Sequence, residues 1–185
     1  MRRSKSEKKV FVIVGMPGAG KSLASQAAKR MKIPVFVSGD VIRNEALRRG
    51  LSLNKRNLGQ VMLHIRKTDG MGAVARRLVP LIEQSAGMTL VYEGARSMEE
   101  VEELARHYNV SIIAIHASPE TRFRRLLKRK RGDRPRTMSD FRERDKRELK
   151  VGVGRIISLA DRMVENEESI PTLERRMRRV LKTLA

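Results

Sequence analysis

Residues 10–22 have the sequence VFVIVGMPGAGKS. The first five residues are apolar and mostly β-branched, which is typical of a parallel strand that is covered on both faces. A glycine-rich turn follows directly, and residues 22–31 after it have a helical pattern. Strand, glycine-rich turn and helix in this order predict the opening unit of a parallel α/β sheet.

The turn itself matches the Walker A pattern G-x-x-x-x-G-K-[ST] at every fixed position. Its glycines allow successive backbone N–H groups to point inward at a helix N-terminus, which creates a phosphate site. Lys21 would reach the β- and γ-phosphates of a nucleoside triphosphate, and the Ser22 hydroxyl would bind Mg²⁺. A chance glycine-rich turn is the alternative, but the flanking strand and helix argue against it. The predicted ATP-binding residues are Gly15, Met16, Pro17, Gly18, Ala19, Gly20, Lys21 and Ser22.

The rest of the chain alternates between strand and helix patterns and has no internal repeats. Further strands are predicted at residues 34–37, 89–92, 111–116 and 161–164. Five strands with helical crossovers imply a three-layer α/β fold of the P-loop NTPase type around a parallel sheet. Residues 1–9 are predicted to form a disordered basic tail, and residues 10–185 one domain. Within that domain we expect a helical insert at about 41–85 and a loop at about 129–138.

The composition is strongly basic. Lys and Arg number 41 against 21 Asp and Glu, so the formal net charge is +20. Such a surface attracts polyanions, which include nucleotides, RNA and acidic membranes. An arginine-rich thermophile surface is the alternative, and the lack of Cys and scarcity of amides hint at it. With no apolar run of membrane-spanning length and no secretory signal pattern, we expect a cytoplasmic protein that does not enter a membrane.

Residues 38–43, SGDVIR, resemble the segment after the second strand of adenylate kinases and related nucleoside monophosphate kinases. In that family a turn of small residues approaches the acceptor nucleoside, and an Arg grips its phosphate. The resemblance implies that Ser38, Gly39 and Arg43 bind the acceptor. Asp40 would act as a base toward an acceptor hydroxyl, as in dephospho-coenzyme A kinases, or it would cap a helix that begins at Val41.

Residues 93–96, EGAR, look like the acid-Gly-x-x-Arg segment of the same family. This chain has Glu93 where the family usually has Asp, and Arg96 comes one residue early. The resemblance implies that Glu93 helps to bind Mg²⁺ and that Arg96 contacts the acceptor and stabilises phosphate charge. Residues 160–166 are similar to the last strand of dephospho-coenzyme A kinases.

Residues 122–136 contain nine Lys or Arg, with Asp133 as the only acid. In residues 139–150, by contrast, acids and bases at i,i+4 can compensate each other, which favours an ordinary solvated helix face. In adenylate kinases and their relatives, the segment that corresponds to residues 122–136 is a mobile lid over the transferring phosphates. The resemblance therefore implies catalytic roles for Arg129 and Arg134. A disordered basic loop or an RNA-contacting patch is the alternative.

From Val10 onward the whole chain resembles the adenylate-kinase-related group, above all an archaeal set of small P-loop proteins with the same GMPGAGKS opening. This resemblance implies an ATP- and Mg²⁺-dependent phosphotransferase, with Lys21, Arg96, Arg129 and Arg134 around the phosphates and AMP as the first acceptor candidate. The alternatives are a dephospho-coenzyme A kinase-like enzyme, an RNA- or ribosome-associated ATPase, and a nucleotide-binding module with negligible turnover. Aromatic residues are only 3% of the chain, which disfavours a binder that stacks bases.

Overall fold

The structure is a computed structural model that describes residues 6–129 and 135–184, with the backbone alone at Lys55. Its sheet has five strands in the order β2-β3-β1-β4-β5, and every pairing is parallel. The predicted three-layer α/β fold is therefore confirmed. The strands are β1 (Lys9–Val14), β2 (Val35–Val37), β3 (Thr89–Glu93), β4 (Asn109–His116) and β5 (Arg162–Glu165).

Helices cover both faces of this sheet. They are α1 (Lys21–Arg30), α2 (Ser38–Arg48), α3 (Lys55–Asp69), α4 (Ala73–Gln84), α5 (Met98–Ala105), α6 (Pro119–Leu127), α7 (Met138–Val151), α8 (Val153–Ser158) and α9 (Ile170–Leu184). Alternate residues of β1 belong to two separate cores, because successive strand side chains point to opposite faces. Val10, Val12 and Val14 pack with α2 to α5 and α8, whereas Phe11 and Ile13 pack with α1 and α9.

Helices α2, α3 and α4 occupy the region of the predicted helical insert, and the two breaks between them contain Gly50, Gly70 and Gly72. Its first helix begins at Ser38 rather than at residue 41, so the acceptor segment is helical from its start. The insert is fixed to the rest of the domain through Arg66 of α3, which pairs with fully buried Glu100 of α5 at 2.8 Å. Tyr92 also donates to Glu100, at 2.5 Å.

The N-terminal boundary of the folded domain differs from the sequence prediction. Lys9 is the first residue of β1, and Lys8 Nζ donates to the carbonyls of Ile82 at 2.7 Å and Ser85 at 2.6 Å. Residues 6–9 therefore belong to the folded domain, while residues 1–5 lie outside the described part of the chain. A capping box begins α7, with Thr137 and Asp140 capping each other's backbone N–H groups.

None of the helices in the described ranges combines the length and the apolar character that crossing a bilayer requires.

Candidate active site

A cleft of about 750 Å³ lies where the carboxyl ends of β1, β2 and β3 meet. In a parallel sheet this edge is where ligands bind. The P-loop lines the cleft together with the first turn of α2, the segment after β3, the end of α6 and one face of α7. Its polar lining residues include Lys21, Ser22, Ser38, Asp40, Arg43, Glu93, Arg96, Arg129, Arg144 and Glu148.

The P-loop conformation requires its glycines. Gly18 and Gly20 have φ angles of +85° and +107°, which side-chain-bearing residues rarely adopt. A Cβ on Gly20 would lie 2.2 Å from Asn166 Nδ2, a buried amide that donates to the carbonyl of Ala19 at 2.7 Å. Asn166 follows β5, so the last strand supports the loop from behind.

Lys21 is the cation at the bottom of the cleft. Its Nζ donates to the carbonyls of Gly15 at 2.6 Å and Met16 at 3.3 Å. Burial lowers the pKa of Lys21 to about 8, although the carboxylates of Glu148 and Glu93 oppose part of that shift. A bound polyphosphate would supply the negative charge that this partly desolvated ammonium lacks.

The two residues that are predicted to bind Mg²⁺, Ser22 and Glu93, are in contact with each other. The Ser22 hydroxyl donates to Glu93 Oε1 at 3.0 Å, so the start of α1 and the end of β3 are in direct contact. Within residues 6–129 and 135–184, no group of three or more His, Cys, Asp or Glu could hold a metal ion. One hydroxyl and one carboxylate fit Mg²⁺, which proteins commonly hold through one or two carboxylates together with substrate phosphates.

The predicted acceptor residues lie at the other end of the same cleft. Ser38 Oγ donates to the carbonyl of Gly94 at 3.0 Å, which fixes the first turn of α2 against the residue after Glu93. Asp40 and Arg43 form an ion pair on α2, one turn apart. The capping interpretation of Asp40 is wrong, because the N-cap residue is Val37 and Asp40 lies inside the first turn.

Of the three predicted catalytic arginines, two line the cleft. Arg96 is 39% exposed, and its guanidinium lies 3.7 Å from Glu148 Oε1 and 3.6 Å from the sulfur of Met62. Arg129 lines the cleft just beyond the end of α6. Arg134 lies outside the described residues, as do residues 130–134 of the predicted lid.

Two cleft residues on α7 were missed from the sequence. Residues 139–150 were predicted to be an ordinary solvated face, but Arg144 and Glu148 line the cleft, and the side chain of Glu148 is only 16% exposed. Their i,i+4 spacing is the same as that of a surface ion pair, so the sequence offered no signal that would separate the two cases. Only the folded structure shows which face of α7 lines the cleft.

The prediction that residues 122–136 are an uncompensated basic segment is also wrong at its first residue. Arg122 is 5% exposed and donates to both carboxylate oxygens of Asp145 on α7, at 2.9 and 2.6 Å. It also donates to the carbonyl of Pro17 at 3.2 Å and lies 4.9 Å from the ring centre of Phe141. Arg122 therefore joins the P-loop to α7, the helix that carries Glu148.

Solved structures with the same fold include TT1252 and two small-molecule kinases. TT1252 from Thermus thermophilus has a TM-score of 0.70 and 20% identity, covering 97% of this chain and 100% of that chain. Shikimate kinase from Bacteroides thetaiotaomicron has a TM-score of 0.67 and 15% identity, covering 95% and 98%. A gluconokinase from Sinorhizobium meliloti has a TM-score of 0.58 and 16% identity, covering 98% and 95%. At these identities the likeness is one of fold alone.

Sequence relatives give the family. A family model described as an AAA domain matches residues 14–142. The UPF0200 protein of Hyperthermus butylicus is 39% identical over 175 residues, which cover 95% of this chain and 94% of that protein. The UPF0200 protein of Methanosarcina mazei is 41% identical over 175 residues, covering 94% of both chains. Because these matches extend over nearly the whole length of each protein, the chain belongs to the UPF0200 protein family.

Proposed function

We propose that this protein binds ATP with Mg²⁺ and transfers the γ-phosphoryl group to a small acceptor, with AMP as the first candidate. The observation that carries the proposal is the continuity of the cleft through the end of β3. Glu93 contacts Ser22 of the P-loop, and the next residue, Gly94, contacts Ser38 of the acceptor turn, both at 3.0 Å. A triphosphate on the loop and an acceptor at α2 would therefore meet beside residues 93–96.

The charges around this junction suit phosphoryl transfer, in which catalysis is mainly positioning and stabilisation of charge on the transferred oxygens. Lys21 lies below the junction, and Arg96 and Arg129 line the same cleft. The guanidinium of Arg96 lies 3.7 Å from Glu148 Oε1. Because that contact is long and Arg96 is partly exposed, its guanidinium is available to an incoming phosphate.

Mg²⁺ would be held by Ser22 and Glu93 together with oxygens of the triphosphate. When bound, the ion would neutralise phosphate charge and orient the terminal phosphate. Ser25 also lines the cleft, and its buried hydroxyl has no hydrogen-bond partner among the described residues.

The need for a base at Asp40 differs between two classes of acceptor. A monophosphate acceptor such as AMP attacks with a phosphate oxygen that carries no proton, so it needs no base. A hydroxyl acceptor, as in a dephospho-coenzyme A kinase-like reaction, must lose its proton as the new O–P bond forms and the bond to ADP breaks. Asp40 is 57% exposed at the cleft, so its carboxylate could accept that proton, while Arg43 beside it would hold an anionic group of the acceptor.

A transfer assay with γ-labelled ATP tests the proposal across the nucleoside monophosphates and dephospho-coenzyme A, with single-stranded RNA added in parallel reactions. We expect label to move to one small acceptor, with little stimulation by RNA, and no transfer by Lys21→Ala. If RNA raises ATP hydrolysis many-fold and no small acceptor becomes labelled, the protein is an RNA-dependent ATPase and the proposal is wrong.

A further inference from the structure

The outward face of α9 carries four cations and no acid. The apolar residues Leu173, Met177 and Leu181 of this helix are buried against the sheet. At a helical spacing of 100° per residue, the opposite side is occupied by exposed basic residues, which we call the cationic face of α9. It consists of Arg175, Arg178, Arg179 and Lys182.

The acids near this face are already paired with other arginines. Glu174 on the flank of α9 is bonded to Arg30 of α1, and Glu168 before the helix is bonded to Arg176 at 2.5 Å. In the described part of the chain, no carboxylate lies within 4.0 Å of the four outward cations. Their charge is therefore uncompensated, whereas α7 mixes acids with bases on its exposed surface.

We propose that the cationic face of α9 binds the phosphate backbone of single-stranded nucleic acid without reading its sequence. The four cations extend over about 10 Å along the helix at 1.5 Å per residue. The guanidinium group of an arginine can donate two hydrogen bonds to two oxygens of the same phosphate. No aromatic residue accompanies them on α9, so the bases would not be stacked or distinguished.

Other anionic partners fit this face less well. A membrane-surface helix needs exposed apolar residues that enter the lipid, but here the apolar side of the helix is buried in the core. A protein partner needs a desolvated aromatic or aliphatic centre, and the outward face has none. Backbone phosphates require only cations and released counterions.

The face is separate from the cleft, since no residue of α9 lines it. The inference therefore does not depend on the proposed phosphotransferase activity, and its test uses binding alone. The probe is a fluorescent oligouridine strand, measured by anisotropy in 50 and 200 mM salt. Contact with four phosphates gives a log–log salt slope of about −2.8, or roughly a fifty-fold loss of affinity across that range.

Two variants with equal net charge locate the site. The face variant is R175Q/R178Q/R179Q/K182Q, and Gln preserves helix propensity at exposed positions. The control variant removes four exposed cations from α3 and α7, through Arg56→Gln, Lys67→Gln, Arg142→Gln and Lys146→Gln. Thermal unfolding of each variant checks that the fold is retained, and single Arg178→Gln and Arg179→Gln variants replace the fourfold one if it is not.

We expect the face variant to lose at least ten-fold in affinity at 50 mM salt and most of the salt slope, while the control variant binds like the original protein. ATP affinity should be unchanged in both. Oligothymidine should bind within a few-fold of oligouridine, because only the backbone is contacted. If the two variants lose affinity for the oligonucleotide equally, binding depends on the overall net charge and the proposal is wrong. If the protein binds phosphatidylserine vesicles through this face but does not bind the oligonucleotide, the partner is a membrane and the proposal is also wrong.

Discussion

Replacing Asp145 by Ala should destabilise the protein by about 3 kcal/mol, because it leaves a buried guanidinium without its counterion. Arg122 is 5% exposed and donates two hydrogen bonds to Asp145, at 2.9 and 2.6 Å. Breaking one partner of a buried pair typically costs about 3–5 kcal/mol, and the 15% exposure of the Asp145 side chain favours the lower end. The loss should be a large share of a total stability of about 5–15 kcal/mol.

Urea unfolding followed by circular dichroism measures this loss, and Glu143→Ala on the same helix is the matched control. Glu143 is exposed, so its replacement should change the free energy of unfolding by less than about 0.5 kcal/mol. Arg122→Met combined with Asp145→Ala should cost clearly less than the sum of the single variants, because the second change removes the unpaired charge. The reasoning is refuted if Asp145→Ala costs less than about 1 kcal/mol or if the two effects simply add.

Four further predictions concern the cleft. Lys21→Ala should keep the fold and weaken ATP binding at least ten-fold by calorimetry, and equal affinities would remove Lys21 from the site. Burial lowers the pKa of Lys21 to about 8, and bound phosphates should raise it, so ATP binding should take up protons and weaken as the pH rises above 8. Calorimetry in buffers of different ionisation enthalpy measures this proton uptake, which Lys21→Met should abolish. Gly94→Ala should impair acceptor binding more than ATP binding in the same titrations, since φ is +96° and a Cβ would lie 2.7 Å from Ser38 Oγ. Asp40→Asn should lower kcat at least a hundred-fold for a hydroxyl acceptor but only slightly for a monophosphate.

The sheet, the P-loop and most helices could be predicted because their signals are local. The apolar run of β1 and the GKS turn specify a buried strand followed by a phosphate loop whatever the rest of the chain does. The capping box at Thr137 likewise depends on residues within one turn. These features lie within short stretches of sequence, so no knowledge of tertiary packing is required to find them.

The contribution of α7 to the site could not be predicted, because it depends on contacts between residues that are distant in sequence. Arg122 and Asp145 are 23 residues apart, and their pairing turns one side of α7 toward the P-loop. The same pairing places Glu148 near Arg96, a contact across the cleft. Charge spacing along a helix predicts which residues can pair within it, but the partner on another element depends on the fold. The start of α2 at Ser38 was missed for a related reason, since the bond from Ser38 to Gly94 fixes that turn.

The central claim is transfer of a phosphoryl group from ATP to a small molecule at the Lys21 cleft, and one measurement tests it without knowledge of the acceptor. The protein is incubated with γ-labelled ATP, Mg²⁺ and a protein-free small-molecule extract of archaeal cells, and the labelled products are separated by chromatography. The account predicts a labelled small molecule other than ATP and inorganic phosphate, formed by the original protein and absent with Lys21→Ala. Release of label only as inorganic phosphate, or a labelled product that Lys21→Ala forms equally well, would contradict the account.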